Sequence, residues 1–293
     1  MARNAVGVGC GTDAITLALR ALGIGPGDEV VTAANTCVPT LTGIIAAAAA
    51  PVLVDVDPHT YTLDPDLLDD VLTQRTRAIV PVHLYGHCAG MERIVAFARD
   101  HDLKVVEDAA HAHGRSMRAG EPAVSRMPQR SASTRRRTFG ALGDGGAVVT
   151  DDATLAARLA QLRSHGEDAS GRGVLVGCCS RLDELQAAML QVKLERLDAG
   201  NERRRALASF YAQALRDTPL ELPTTAAQCR HAYHLFVVRS ADREGLRSRL
   251  AAAGVETLVH YPWALPAPGI RSPRAPRPAR RASRSASVWP TRF

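Results

Sequence analysis

The chain alternates short apolar runs with stretches of helical spacing. Glu29 to Ala33 (EVVTA), Pro51 to Asp57 (PVLVDVD), Ala78 to Leu84 (AIVPVHL), Leu103 to Glu107 and Ala147 to Thr150 read as strands. Nearly continuous apolar runs of this kind suit strands buried on both faces, as in a parallel sheet. Between them lie helices. Ile15, Ala18, Leu19 and Leu22 keep helical spacing after Thr12 or Asp13, and the glycines from Gly23 to Gly27 stop that helix. Thr40 to Ala50 reads as a helix of small residues. Asp64-Pro65 opens another to about Leu72, with proline in its first turn. Met91 to His101 follows, and Asp151 or Asp152 caps a helix to about Ser164. Val6 to Gly9 leads straight into the first helix, so the chain is expected to open almost directly on a strand.

This order implies right-handed βαβ crossovers and an α/β fold with a mostly parallel sheet. Residues 1–180 form the expected large domain. Ser180 to Leu215 is helix-rich with a break expected near Gly200. Strand, helix and strand then follow at Tyr233 to Arg239, Asp242 to Ala253 and Glu256 to His260. That pattern predicts a smaller α+β C-terminal domain over 181–265. The tail 266–293 is Arg, Pro, Ser and Ala, a composition that builds no core.

Charge changes the picture less than its total suggests. The net charge of +6 comes from two segments. Residues 119–138 carry +4 and residues 266–293 carry +7, which leaves the other 245 residues five negative. With no aromatics interleaved among the arginines, nucleic acid is not an expected partner. Ile44 to Pro51 is too short to span a membrane, and the first residues hold no secretory apolar segment. Six cysteines without C-x-x-C spacing fit a reduced, cytoplasmic protein with no metal site.

Two stretches carry candidate chemistry. In KVVEDAAHAHG, Lys104 to Gly114, an apolar run ends in Glu107-Asp108. Ligands bind open α/β sheets at such strand ends. An acid there either caps the next turn or holds the ring nitrogen of pyridoxal phosphate (PLP) protonated, which makes that cofactor an electron sink. In GVGCGTDA, glycines precede a helix N-terminus. They are either a tight turn or a place where backbone N–H groups close on a phosphate.

Together GCGTDA, ANTCVPT, VDVDPHTYTLDP, AIVPVHLYGH, KVVEDAAHAHG, FGALGDGGAVVTDD, LRSHG and SRLDELQAAML resemble the DegT/StrS family of PLP-dependent sugar aminotransferases. The match covers roughly 4–114, 139–216 and 231–262. ANTCVPT is similar to enzymes that aminate 3-keto positions of nucleotide-linked deoxysugars. The resemblance implies a fold type I PLP transferase, a homodimer with active sites between subunits. It implies Gly11, Thr12 and Asp13 around the PLP phosphate, Asp108 at the pyridine nitrogen, His111 near the ring hydroxyl and Cys37 near the ring face. It implies transfer of an amine from an amino acid, glutamate in expectation, to a nucleotide-linked ketosugar. His234 and His260-Tyr261 fall where the family approaches its active site, and Arg181 with Asp183 would hold the subunit interface.

The sequence departs from the family at decisive places. The Schiff-base lysine of the family, in a stretch like FSFYPTKN, is replaced by Arg137 within SASTRRRT. Arginine stays protonated and is no amine nucleophile at neutral pH. The family's dehydratase branch carries histidine there, which Arg137 is not. Ala132 replaces a serine that usually touches the phosphate, and Cys178-Cys179 replace Trp-Asn, whose asparagine reaches the phosphate of the neighbouring subunit. One explanation covers the first two. Back-translating Met127 to Thr138 (MPQRSASTRRRT) and reading one base earlier allows DAAAFSFYPTKN, lysine included. Residues of about 115–138 then read as an out-of-frame segment between two compensating indels, expected to be poorly ordered.

Overall fold

The computed structural model describes residues 3–113, 139–227, 229–262 and 265, and the backbone of 124–127. A seven-stranded sheet organises it. The strands are β1 (Asn4–Val8), β2 (Glu29–Ala33), β3 (Ala50–Val54), β4 (Thr76–Val80), β5 (Lys104–Glu107), β6 (Val124–Met127) and β7 (Gly146–Thr150). Their order is β1-β7-β6-β5-β4-β2-β3. From β3 through β6 the pairing is parallel; β7 runs antiparallel to both β6 and β1.

Alternation along each strand makes the layers. In β2, Val30 joins one core cluster while Val31 and Ala33 join the other. In β4, Ala78 and Val80 face the first, and Ile79 faces the second. The first face is covered by α1 (Gly11–Ala21) and α5 (Ala153–Leu162), through Ile15, Leu19, Leu155 and Leu159. The second is covered by α3 (Leu68–Val71) and α4 (Met91–Asp100), through Leu68, Met91 and Ile94. Each such side chain, fully buried, contributes about 1.5–3 kcal/mol, so the two cores fix which face every strand presents. α2 (Val38–Ala46) packs on α1, where Gly43 makes room: a Cβ there would lie 2.7 Å from Ile15 Cβ.

Helix ends follow their capping residues. Asp152 Oδ1 accepts from the N–H groups of Thr154 and Leu155, which fixes the start of α5. The Asp64 carboxylate accepts from Asp66 N. The segment after it is one 3₁₀ turn, Pro65–Leu67, followed by the single turn of α3, rather than one continuous helix. The small-residue helix is shorter than its composition suggests. α2 stops at Ala46, Ala48 turns through a positive φ of 62°, and β3 begins at Ala50.

The C-terminal part departs further from expectation. α6 (Glu184–Leu194) and α7 (Leu197–Leu215) break at Glu195-Arg196, and Gly200 lies inside α7 with its N–H bonded to Arg196 O. A helix tolerates one glycine at a cost of about 1 kcal/mol. α8 (Arg243–Ala252) forms as expected under its Asp242 cap. Neither Tyr233 to Arg239 nor Glu256 to His260 is a strand. The first has a strand's alternation without a ladder. Leu235 and Val237 pack with Tyr61, Val82, Leu84 and Tyr85, while Phe236 turns the other way onto Tyr211, 5.3 Å between ring centres. Its backbone bonds Tyr85 O and Glu221 instead of a neighbouring strand. Strand β6 lies within the stretch read as out of frame; the rest of that stretch, Ala132 and Arg137 included, lies outside the described residues, as does the tail 266–293.

Candidate active site

The C-terminal ends of β4 and β5 converge where an open parallel sheet binds ligands. The backbone pairing continues one step past β5: Asp108 N donates to Pro81 O at 2.8 Å, and His83 N donates to Asp108 O at 3.0 Å. This holds Asp108, 1% exposed, at the strand end. Each carboxylate oxygen accepts one hydrogen bond. Thr40 Oγ1 donates to Oδ2 at 2.7 Å, and Ala110 N donates to Oδ1 at 3.1 Å. Because the Thr40 proton goes to the carboxylate, Thr36, 3.0 Å away, donates to Thr40. Cys37 Sγ lies 3.7 Å from the same hydroxyl. One chain of contacts thus joins Cys37, Thr40 and Asp108.

His111 stands three residues beyond Asp108. Its Nδ1 accepts from Tyr85 N at 3.3 Å, and its ring lies against His234 with centres 4.4 Å apart. The 3₁₀ turn Leu84–Gly86 makes this contact possible. Tyr85 adopts φ 58°, a left-handed conformation uncommon outside glycine. Gly86 has φ 101°, and a Cβ there would lie 2.9 Å from the backbone nitrogens of Tyr233 and His234. Glycine therefore lets the C-terminal segment close over His111.

The second candidate region is the N-terminus of α1. Cys10 caps it, with Sγ accepting from Asp13 N at 3.4 Å; burial pushes the Cys10 thiol pKa up, so it stays neutral. Gly146 approaches so closely that a Cβ would lie 2.4 Å from Cys10 O and 3.0 Å from Gly11 N. Gly11 and Thr12 thus open a helix whose first N–H groups and dipole favour an anion. Asp13 turns elsewhere. Its Oδ2 accepts from Ser180 Oγ at 2.7 Å, and Ser180 Oγ in turn accepts from Gly9 N at 3.0 Å. Asp13 so placed braces the loop, and Ser180 is a bracing residue that pattern reading did not single out. Cys178 and Cys179 lead into Ser180; Cys178 is raised in pKa by burial and by the Asp13 charge, whereas Cys179 is exposed.

A buried pair behind Asp108 also escaped sequence reading. His83 Nε2 lies 2.6 Å from Glu107 Oε2, and His83 Nδ1 accepts from Ala89 N at 3.0 Å. The second contact places the proton on Nε2, which donates to Glu107. Glu107 and Asp108 leave the strand on opposite faces, so the histidine takes up one carboxylate while Thr40 takes up the other. Arg181 and Asp183 precede α6, with Asp183 at its N-cap position. Tyr85 Oη donates to His260 O.

A family model of DegT/DnrJ/EryC1/StrS aminotransferases matches residues 1–288. The chain belongs to this aminotransferase family. A dTDP-3-amino-3,4,6-trideoxy-alpha-D-glucose transaminase of Streptomyces venezuelae is 45% identical over 260 residues, 88% of this chain and 69% of that protein. The crystal structure of S. venezuelae DesV in complex with a ketimine intermediate superposes with a TM-score of 0.90 at 41% identity, covering 98% of this chain and 78% of that one. NtdA from Bacillus subtilis, solved with bound PMP, gives 0.86 at 30% identity, covering 99% and 68%. The fold is that of PLP-dependent aminotransferases, and the family implies PLP.

The described residues fit that cofactor at two ends. A buried carboxylate at a strand terminus suits a pyridinium nitrogen, and the α1 N-terminus suits a phosphate. They do not supply the amine. The chain has two lysines, Lys104 and Lys193. Lys104 opens β5 at the end remote from Asp108, half-exposed beside Asp102, and Lys193 on α6 donates to Gly140 O. Arg137 lies outside the described residues. Among the described residues no helix is long and apolar enough to cross a membrane, and no His, Cys, Asp and Glu cluster could hold a metal ion.

Proposed function

We propose that this protein is by architecture a PLP-dependent aminotransferase that moves an amine from an amino acid, glutamate in expectation, onto the 3-keto position of a nucleotide-linked sugar. The observation that carries the reading is the buried Asp108 carboxylate, oriented by Thr40 and Ala110 at the end of β5. Bound PLP supplies an electron sink. Asp108 holds the proton at its ring nitrogen, and Cys37 and His111 flank the ring. Gly11 and Thr12 receive the phosphate, Asp13 holds their loop in place, and Cys179 faces a neighbouring subunit. The relatives' printed substrates support the sugar class.

The protein acts as a cytoplasmic homodimer in this reading. Leu185, Met189 and Val192 on α6 and Phe210 on α7 are exposed apolar side chains that a second copy would cover. The large domain, 1–180, carries the cofactor, and 181–265 closes over it.

Arg137 favours a second reading, a catalytically incompetent family member. With no amine at that position the chain as written holds PLP without a covalent bond. Borohydride treatment with PLP, followed by peptide mapping, separates the readings. Reductive labelling near residue 137 would require a lysine that the sequence lacks there. Resequencing codons 110–140 tests the origin: a continuous frame encoding DAAAFSFYPTKN restores the lysine and the aminotransferase, whereas confirmed indels leave a decayed chain. Transamination of dTDP- and UDP-linked 3-ketosugars by the restored chain tests the activity, and its failure with every such sugar would overturn the first reading.

A further inference from the structure

We propose that Cys88 and Cys229 form a redox-controlled covalent tether between the turn beside the active site and the C-terminal segment. Both are thiols in the structure, and Cys88 N donates to Cys229 Sγ at 3.0 Å. Adding the covalent reach from each Cα to the 3.0 Å contact, the two Cα atoms lie no more than ~7.3 Å apart, and any bend in that path brings them within the disulfide range.

Three further bonds hold the same two segments together. Ala226 N donates to His87 Nε2 at 3.1 Å, Ala232 N to Gly86 O at 2.9 Å and Leu235 N to Tyr85 O at 3.2 Å. The pair therefore sits in the middle of a seam, joining residues 141 positions apart. The seam closes a small pocket lined by Tyr61, Tyr85, His87, Thr224 and His231. Exposure sets the order of chemistry. Cys88 is 3% exposed, whereas Cys229 is half-buried and meets solvent first.

The oxidant is a low-molecular-weight disulfide. The Cys229 thiolate attacks one of its sulfurs, forming a mixed disulfide and expelling one thiolate. The Cys88 thiolate then attacks Cys229 Sγ and expels the second. The two protein thiol protons end on the two released thiols, and the two electrons lost by the cysteines reduce the reagent. Oxidation thus locks a seam otherwise held by hydrogen bonds, and thiol reductants release it.

The test is oxidised glutathione added to the full chain, with peptide mapping under non-reducing conditions and amide hydrogen exchange. A linked Cys88–Cys229 peptide is expected, with exchange at Ala226 and Ala232 slowed at least tenfold. Cys88→Ser should stop at glutathione on Cys229. In Cys229→Ser, Cys88 should react at least tenfold more slowly than Cys229 does in the intact chain. A wild-type chain that stops at the mixed disulfide, pairs Cys229 with another cysteine, or links without slowing exchange would overturn the proposal. Equal reactivity of Cys88 in Cys229→Ser would overturn the order of attack.

Discussion

His231 should make the protein lose stability in mild acid, by an amount that the structure bounds. The residue is 4% exposed. Its Nδ1 accepts from Tyr233 N at 2.8 Å, one face stacks on Tyr233 at 4.0 Å, and His87 meets it edge-on at 5.3 Å. Arg205 donates to its carbonyl. Burial first, and His87 second, push its pKa down to about 3 from 6.5. The unfolded chain binds a proton below pH 6.5, while the folded chain stays neutral until about pH 3. Folding stability is therefore whole above pH 6.5 and falls as pH drops toward 3. Between pH 7 and pH 5 the loss from this residue is about 2 kcal/mol. In His231→Asn the side-chain oxygen still accepts from Tyr233 N but does not titrate. Urea midpoints at pH 7, 6 and 5, followed by far-ultraviolet circular dichroism, measure both proteins. The wild type should lose about 2 kcal/mol more than His231→Asn over that interval. Parallel pH profiles for the two would refute the buried neutral histidine.

Other expectations are as specific. Asp108→Ala leaves the Thr40 hydroxyl and the Ala110 N–H without their acceptor and should cost about 1–3 kcal/mol in a urea titration. Asp108→Asn should cost less stability yet lower PMP affinity at least tenfold in a fluorescence titration. Gly43→Val sets a side chain against Ile15 and should destabilise the α1–α2 packing by about 1–3 kcal/mol, read as a lowered thermal midpoint. Leu185→Glu with Val192→Glu should shift sedimentation from dimer to monomer; an unchanged dimer would place the interface elsewhere.

Strands β2 to β5 of the parallel part were legible because apolar runs mark strands buried between two layers. EVVTA coincides with β2 because every residue in it is buried. β6 was not legible, since AVSRMP has neither an apolar run nor alternation, and its place comes from the ladders of β5 and β7. The converse error occurred at Tyr233 to Arg239, where alternation was real but its two faces met a core and a helix. Motifs singled out Asp108, His111 and Cys37 as candidates. Thr40, Ser180 and the His83–Glu107 pair were not, because each acts through a partner far away in sequence. A pattern along one strand does not show what a neighbouring strand places opposite. The DNA-level reading of 115–138 and the role of Arg137 rest on the sequence alone.

The unusual backbone at Tyr85 has a mechanical consequence. Its N–H grips the His111 ring, its carbonyl grips Leu235, and its hydroxyl reaches His260. One residue is thus clamped at three points belonging to different parts of the chain. A pull on the C-terminal segment is delivered to the His111 ring with no soft linker in between, as a crank passes on a turn. Sequence drift at Leu235 or His260 is in that sense also drift of the candidate site around His111.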